Sequence, residues 1–154
     1  MKIYSFSILL ILFLIAPPIE RHGKVVAVLD GDTIEILDSN NKTYRIRLSG
    51  IDCPEKAQAF GQKAKQFTSD LCFGKSVKVI VHSTDRYGRE IGDIVLSDGT
   101  VVNEELVGAG FAWHYKQYSS DAGLAKLEVE ARKKKLGLWA DPNPIPPWEF
   151  RRKK

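Results

Sequence analysis

The sequence has few of the residues on which several common protein classes depend. It contains two Cys and three His in 154 residues. Two Cys cannot build a disulfide-dense scaffold or a four-thiolate zinc site. The His are scattered and form no HExxH motif or Cys/His cluster. The glycine motifs GxGxxG, GxxxxGK[ST] and GxSxG are absent, which excludes the common nucleotide-cofactor and serine-hydrolase signatures.

Low-complexity and disordered classes are excluded by composition. Twelve Gly and seven Pro are too few for a collagen-like or low-complexity chain, and a 44% hydrophobic share is too high for disorder. The length of 154 residues fits one domain. The net charge of +4 is compatible with a polyanionic partner, but many solvated surfaces carry a similar charge.

The N-terminal segment differs from the rest of the chain. Residues 3–16 form an uncharged apolar run that follows Lys2 and ends at Pro17. A membrane-spanning helix needs about 20 apolar residues, so this run is short for a span and typical of a signal-peptide core. We therefore expect residues 1–18 to be a signal peptide or an N-terminal membrane anchor, and the protein to be secreted or periplasmic. The cleavage site after Ala16 is poor because proline follows it. The segment could therefore stay uncleaved and tether the protein to the membrane.

Export bears on the two cysteines. In an oxidising compartment Cys53 and Cys72 could form a disulfide. Nothing in their spacing indicates such a bond, and Cys72 lies in an apolar helical stretch where a small core residue is expected.

The C-terminal segment, residues 141–154, is rich in proline and ends in a basic run. Four prolines between positions 142 and 147 disfavour a helix or a central strand, so we expect an extended strap. Trp148 and Phe150 are candidates to pin this strap to the domain. The basic run at 151–154 is typical of a solvated tail, with contact to phosphate as the alternative.

Hydrophobic patterning predicts five strands and three helices in the domain, residues 19–140. Alternating or β-rich segments predict strands over 23–29, 33–37, 44–48, 77–81 and 91–96. Apolar spacings of three and four predict helices over 54–74, 103–109 and 121–136, each ended by a glycine. Three consecutive strands and a helix before the fourth favour an α+β fold, a five-stranded OB-fold β-barrel with three packed α-helices.

Three charged segments lie where the fold does not demand charge. They are DGDT at 30–33, RLSGIDCPE at 47–55 and DRYGR at 85–89. Each has an ordinary explanation by itself. The first and third suit turns, and Asp52 could cap a helix with Glu55 in its first turn.

Together these segments carry the groups that phosphodiester hydrolysis needs. Asp32 and Asp52 offer the hard oxygen ligands that Ca²⁺ prefers, and Glu55 could orient a water. Arg47 and Arg89 offer forked donors that match phosphate oxygens. A cation, a water activator and fixed positive charge around the phosphorus form the set expected of a nuclease.

The ordered set DGDT, R-x4-D-x-P-E and D-x-YGR resembles the micrococcal (staphylococcal) nuclease family, also called thermonucleases. Residues 102–107 resemble the second helix of that family, and residues 135–139 resemble the end of its third. The resemblance covers about residues 23–140. It implies an OB-fold barrel with three helices and Ca²⁺-dependent hydrolysis of DNA and RNA, single-stranded or locally melted. The products it implies are a 3′-phosphate and a 5′-hydroxyl.

The resemblance also assigns roles by position. Asp32, Asp52 and the backbone carbonyl of Cys53 match the family's Ca²⁺ ligands, and Glu55 matches its general base or water positioner. A second group faces the substrate: Arg47 and Arg89 match the arginines on the phosphate, and Arg86 and Tyr87 match contacts to a terminal phosphate. We expect no small-molecule cofactor and a monomer.

Two departures affect the substrate side. Cys53 stands where the best-known member has threonine, and the segment after Glu55 is shorter than that member's mobile loop. The aromatic stretch 111–118 aligns only loosely, so Tyr115 and Tyr118 are candidates for base stacking. We expect Phe111 and Trp113 in the core, and a surface or hydrogen-bonded role for His114.

Two other function classes compete with the nuclease. A nucleic-acid-binding OB module without hydrolytic activity would keep the barrel and the basic surface, but has no need of Asp32, Asp52 and Glu55 together. An exported Ca²⁺-binding structural domain would not call for Arg47 and Arg89.

Overall fold

The computed structural model describes residues 17–153. The predicted export signal, residues 3–16, lies outside these described residues. Within residues 17–153, no helix is long and apolar enough to cross a membrane.

A closed five-stranded barrel forms the centre of the fold. Its strands follow the order β1-β2-β3-β6-β5, with β3 and β6 parallel and all other neighbours antiparallel. The other two strands found between residues 17 and 153, β4 and β7, pair with each other outside the barrel. The strands are β1 Ile19–Asp30, β2 Thr33–Leu37, β3 Thr43–Leu48, β4 Ile51–Asp52, β5 Ser76–Thr84, β6 Glu90–Leu96 and β7 Trp113–His114. The predicted OB-type barrel is confirmed.

The barrel closes because alternate residues of each strand are apolar. In β2 and β3, Ile34 pairs with Ile46, and both side chains are fully buried together with Ile36. The intervening pair, Glu35 and Arg45, faces outward and forms an ion pair of 2.7 Å. A one-residue slip would exchange these two faces, so the pattern fixes the register.

Within residues 17–153, four α-helices and one 3₁₀ helix surround the barrel. They are α1 Gly61–Cys72, α2 Val102–Gly108, α3 Ala122–Lys133, the 3₁₀ turn Gly137–Ala140 and α4 Pro147–Arg152. The first three correspond to the predicted helices. Helix α3 begins where the Asp121 side chain accepts a hydrogen bond of 3.0 Å from the Leu124 amide, a normal helix cap.

Helix α1 begins later than the prediction of residue 54. Phe60 has a left-handed backbone with φ of 66°, which interrupts the helical path just before Gly61. A Cβ atom at Gly61 would collide with the carbonyl oxygen of Glu55. Residues 53–60 therefore form an irregular segment folded back on the helix start, which their apolar spacing did not reveal.

The prediction that the proline-rich tail contains no helix is wrong for its second half. The three earlier prolines precede α4, and Pro147 takes the first helical position. A proline there loses no hydrogen bond, because the first amides of a helix have no intrahelical partner. Trp148 packs against the ring of Trp113 at 5.5 Å, so the predicted pinning by Trp148 is confirmed.

Both cysteines are free thiols. Cys53 and Cys72 are buried, and burial raises the pKa of each. Cys72 is a core residue, as its helical context indicated.

Candidate active site

Two buried carboxylates meet at one end of the barrel. Asp32 lies in the turn between β1 and β2, and Asp52 ends the short strand β4. The Cys53 amide donates a hydrogen bond of 2.7 Å to Asp32 Oδ2, and the Leu48 amide donates one of 2.8 Å to the Asp32 carbonyl. Backbone contacts therefore fix Asp32 against the segment that carries Asp52.

Asp52 is positioned by a strand. It pairs with Trp113 of β7, while Ile51 pairs with His114. The alternative of Asp52 as a helix cap is wrong, because α1 begins only at Gly61. His114 is buried and its Nε2 lies 3.1 Å from the Ser119 hydroxyl, in agreement with a hydrogen-bonded structural role.

Arg47 joins the two carboxylates. Its Nη2 lies 3.3 Å from Asp32 Oδ2 and 3.0 Å from Asp52 Oδ1. Its Nη1 donates to the carbonyls of Leu48 at 2.8 Å and Ile51 at 2.9 Å. Burial lowers the pKa of the Arg47 guanidinium, but the two aspartates more than offset this and hold it above its usual value. Arg47 is thus a fixed positive charge with little freedom to move.

Negative charge is crowded around this arginine. Burial raises the pKa of Asp52, with Asp32 adding to the effect and Arg151 and Arg47 opposing it. Burial also raises the pKa of Asp30, and Asp32 and Glu55 raise it further. Burial is the main cause of both shifts, and repulsion from the neighbouring carboxylates adds to it. Such a site favours an added cation.

Glu55 completes the cluster through an arginine that sequence reasoning did not identify. Arg151 Nη1 lies 2.7 Å from Glu55 Oε1, and Arg151 Nη2 lies 2.8 Å from Asp52 Oδ2. The bonds to Asp52 and Glu55 raise the pKa of Arg151. The basic run at 151–154 was the available signal, but composition alone does not distinguish a site residue from a solvated tail.

The predicted substrate loop, residues 85–89, is organised by one aspartate. Asp85 accepts hydrogen bonds from the Tyr87 and Arg89 amides and from Arg89 Nε at 2.8 Å. Burial raises the pKa of Asp85, but these bonds outweigh it and lower the pKa overall. The Arg86 guanidinium lies 4.8 Å above the Tyr87 ring, which is exposed. Strand register places Arg89 two residues before Ile91, the partner of Arg47. The Arg89 side chain itself contacts its own loop.

The predicted stacking residues Tyr115 and Tyr118 lie together. Their ring centroids are 4.9 Å apart, edge to face, and Tyr118 is exposed. Trp148 of α4 lies parallel to Tyr115 at 5.2 Å. Trp113 is buried and Phe111 packs on Phe67 at 4.9 Å, as expected of core residues.

The donor set around Arg47 fits a hard cation. Asp32 and Asp52 each place one oxygen within 3.3 Å of the same nitrogen of Arg47, so the two carboxylates lie close together. Within residues 17–153, no group of three or more His, Cys, Asp or Glu side chains is arranged to hold a metal. A site with two carboxylates, one backbone carbonyl and waters does not need a third side chain, and suits the flexible shell of Ca²⁺ better than tetrahedral Zn²⁺.

Comparison with known proteins gives a consistent result. Residues 45–141 match the family described as Staphylococcal nuclease homologue. An "Uncharacterized endonuclease" of Escherichia coli O157:H7 is 47% identical over 148 residues, which cover 94% of this chain and 96% of that protein. A "Micrococcal nuclease" of Shigella flexneri is 44% identical over 140 residues, covering 84% of this chain and 80% of that one. The "Staphylococcal-like nuclease CAN1" of Arabidopsis thaliana is 49% identical over 113 residues, which are 73% of this chain and 35% of the plant protein.

Proposed function

This chain belongs to the staphylococcal nuclease family and is a thermonuclease-like nuclease, and from that premise we propose that it hydrolyses DNA and RNA with Ca²⁺ and leaves 3′-phosphate ends. The observation that supports this most is the meeting of Asp32, Asp52 and Glu55 at one end of the barrel, around two arginines. A domain that only bound nucleic acid would gain nothing from three carboxylates facing a polyanion.

Asp32, Asp52 and the backbone carbonyl of Cys53 are the residues that would hold Ca²⁺. When bound, the ion would supply Lewis-acid stabilisation of charge on a phosphate oxygen. The buried setting of both aspartates strengthens their attraction for a divalent ion, because little water competes for them.

Glu55 is the proposed water activator. It is the most accessible of the three carboxylates, with 35% of its side chain exposed against 2% for Asp52. Solvent can therefore reach it while the aspartates stay enclosed. Its oxygen would accept a proton from the attacking water as the new bond to phosphorus forms and the bond from phosphorus to the 5′-oxygen breaks. The departing 5′-oxygen would take up a proton from solvent and leave as the 5′-hydroxyl.

Arg47 and Arg89 are the proposed phosphate-facing arginines. Arg47 is preorganised by its bonds to Leu48 and Ile51, so it can stabilise developing charge with little rearrangement. Arg89 would have to exchange part of its contact with Asp85 for the substrate. Arg86 and Tyr87, exposed beside it, would bind a second phosphate of single-stranded or locally melted chains, with Tyr115 and Tyr118 stacking on bases.

The activity is tested on a single-stranded oligonucleotide with Ca²⁺ or with chelator. Cleavage should require Ca²⁺ and should produce 3′-phosphate ends. Glu55→Gln keeps the size of the side chain and removes its charge, so it should bind the oligonucleotide about as well as the parent yet cleave at least ~100-fold more slowly. Glu104→Gln, the same change at an exposed position on α2, is the matched control.

The alternative function, a nucleic-acid-binding module without catalysis, makes a different prediction in the same assay. The parent would then bind the oligonucleotide and leave it intact at every Ca²⁺ concentration. Full cleavage in chelator would instead contradict the metal assignment, but it would still support nuclease activity.

Export stays part of the proposal, because residues 3–16 have the length and polarity of a signal-peptide core. Fractionation of cells that express the full chain should find the domain outside the cytoplasm, either free or held at the membrane by an uncleaved leader. Recovery of intact cytoplasmic protein that begins at Met1 would contradict export.

A further inference from the structure

The C-terminal helix α4 places a guanidinium on the oxygens that a metal ion would need. We propose that Arg151 is a built-in competitor of the metal, docked in the metal-free protein and displaced together with α4 when Ca²⁺ binds. This inference rests on the proposed function, since it concerns how the same site is regulated.

The competition follows from which atoms Arg151 engages. Its Nη2 lies 2.8 Å from Asp52 Oδ2, and its Nη1 lies 3.3 Å from Asp52 Oδ1 and 2.7 Å from Glu55 Oε1. Arg151 thereby contacts both oxygens of Asp52, and Arg47 also reaches Oδ1 at 3.0 Å. A metal on Asp52 and a water on Glu55 would need the same lone pairs.

Charge points to the same conclusion. Arg47 and Arg151 offset two of the three negative charges of the carboxylates they contact, so the docked site attracts a divalent ion less strongly than the site without Arg151 would. A divalent ion at Asp52 would lie within a few ångströms of the Arg151 guanidinium and repel it strongly in this partly buried setting.

Arg151 is the arginine that can leave. The Arg47 side chain is 14% exposed and bonded to two backbone carbonyls, whereas the Arg151 side chain is 42% exposed and lies near the end of the chain. Helix α4 has six residues, and residues 141–146 before it form neither helix nor strand. It contributes no strand to the barrel, so its detachment would leave the strand register intact.

Undocking would also change the substrate side. Trp148 on α4 is stacked on Tyr115 with an interplanar angle of 8°, which covers one face of a ring proposed to stack on bases. One movement of α4 would free the metal site and that ring together. The docked tail is thus a closed state with respect to both metal and nucleic acid.

The direct test is a Ca²⁺ titration by calorimetry on the full folded domain, without substrate. If α4 is docked in roughly nine of ten molecules, the apparent dissociation constant is raised about tenfold, so Arg151→Ala should bind Ca²⁺ about tenfold more tightly than the parent. Arg152→Ala removes the same charge from an exposed neighbour on the same helix, and should change the affinity far less.

A second variant separates undocking from simple loss of charge. Trp148→Ala removes the ring contacts of α4 with Trp113 and Tyr115 and leaves every charge in place, and it should also tighten Ca²⁺ binding. In the parent, Ca²⁺ should increase acrylamide quenching of the Trp148 fluorescence. Trp148→Ala supplies the blank for the signal of the other two tryptophans.

The outcomes distinguish this proposal from the one on which it rests. Equal Ca²⁺ affinity in the parent, Arg151→Ala and Trp148→Ala would overturn the competition and leave the calcium site standing. Tighter binding in Arg151→Ala alone, with no change in Trp148→Ala or in quenching, would mean that Arg151 acts only through its charge while α4 stays docked. That result would also overturn the proposal. Absence of Ca²⁺ binding in all three would overturn the calcium assignment itself, and the competition with it.

Discussion

The two sides of the carboxylate cluster are held in different ways. On the barrel side, Asp32, Asp52 and Arg47 are fixed by strand register and by bonds to backbone groups. On the tail side, Arg151 arrives on a six-residue helix that is anchored by the aromatic contacts of Trp148. The difference indicates which groups form a permanent frame and which can be exchanged for a ligand.

The largest effect should come from removing a metal carboxylate on the barrel side. Asp32→Asn keeps an oxygen that can accept from the Cys53 amide, so the frame should survive. Cleavage should fall to the background measured in chelator, because the charge that attracts the ion is gone. Oligonucleotide cleavage and Ca²⁺ calorimetry measure this, with Asp70→Asn on the exposed face of α1 as control. Retained Ca²⁺-dependent cleavage would remove Asp32 from the metal site.

The next largest effect should be a difference in the free energy of unfolding between variants of Arg47 and Arg151. Arg47→Ala leaves two buried aspartates without their shared counter-charge, which should cost roughly 3–5 kcal/mol in free energy of unfolding. Arg151 is 42% exposed, so Arg151→Ala should cost at most about 1 kcal/mol. Urea denaturation without metal measures both values. Equal losses would mean that the tail belongs to the permanent frame.

The same division describes what the sequence could predict. The barrel follows from alternation such as that of Ile34 and Ile36, and the carboxylates follow from motifs within segments close in sequence. The contact of Arg151 with Asp52 joins residues 99 positions apart and depends on the packing of Trp148, which no local pattern encodes. The tail helix was missed because four prolines suggested an extended chain, although the last one occupies a permitted position.

The start of α1 was missed for a similar reason. Apolar spacing continued through residues 57–60, but the left-handed backbone of Phe60 and the close approach of Gly61 to Glu55 are tertiary features. Asp52 was open to interpretation as a helix cap, and only its pairing with Trp113 resolves it as a strand residue. The sequence therefore predicts which chemical groups form the site better than it predicts the backbone structure that carries them.

A smaller effect should show how the backbone sets the position of Glu55, which lies between the two regions. Gly61→Ala would place a Cβ on the Glu55 carbonyl, so the segment must shift, at a cost of about 1–3 kcal/mol and with slower cleavage. Gly108→Ala is the matched control, since a Cβ there meets only Leu127 at an ordinary 3.6 Å. Urea denaturation and oligonucleotide cleavage measure both variants, and equal behaviour would mean that Glu55 is not positioned by this contact.

The smallest effect concerns the two thiols, which lie on the barrel side. Burial raises the pKa of Cys72 to about 11 and raises that of Cys53 as well. At pH 8 the thiolate of Cys72 is therefore scarce, and the burial of both sulfurs also blocks reagents. A thiol reagent should label neither cysteine in the native protein, whereas both should react in denaturant, where an ordinary pKa of about 8.5 returns. Labelling through transient opening should level off above about pH 9, because the opened thiol has its ordinary pKa, so a rate that keeps rising toward pH 11 would indicate reaction of the native thiolate. Arg151→Ala should leave the protection unchanged, because undocking α4 does not open the barrel. Faster labelling in that variant would show that the tail helps to close the barrel side, and the contrast between the two regions would be lost.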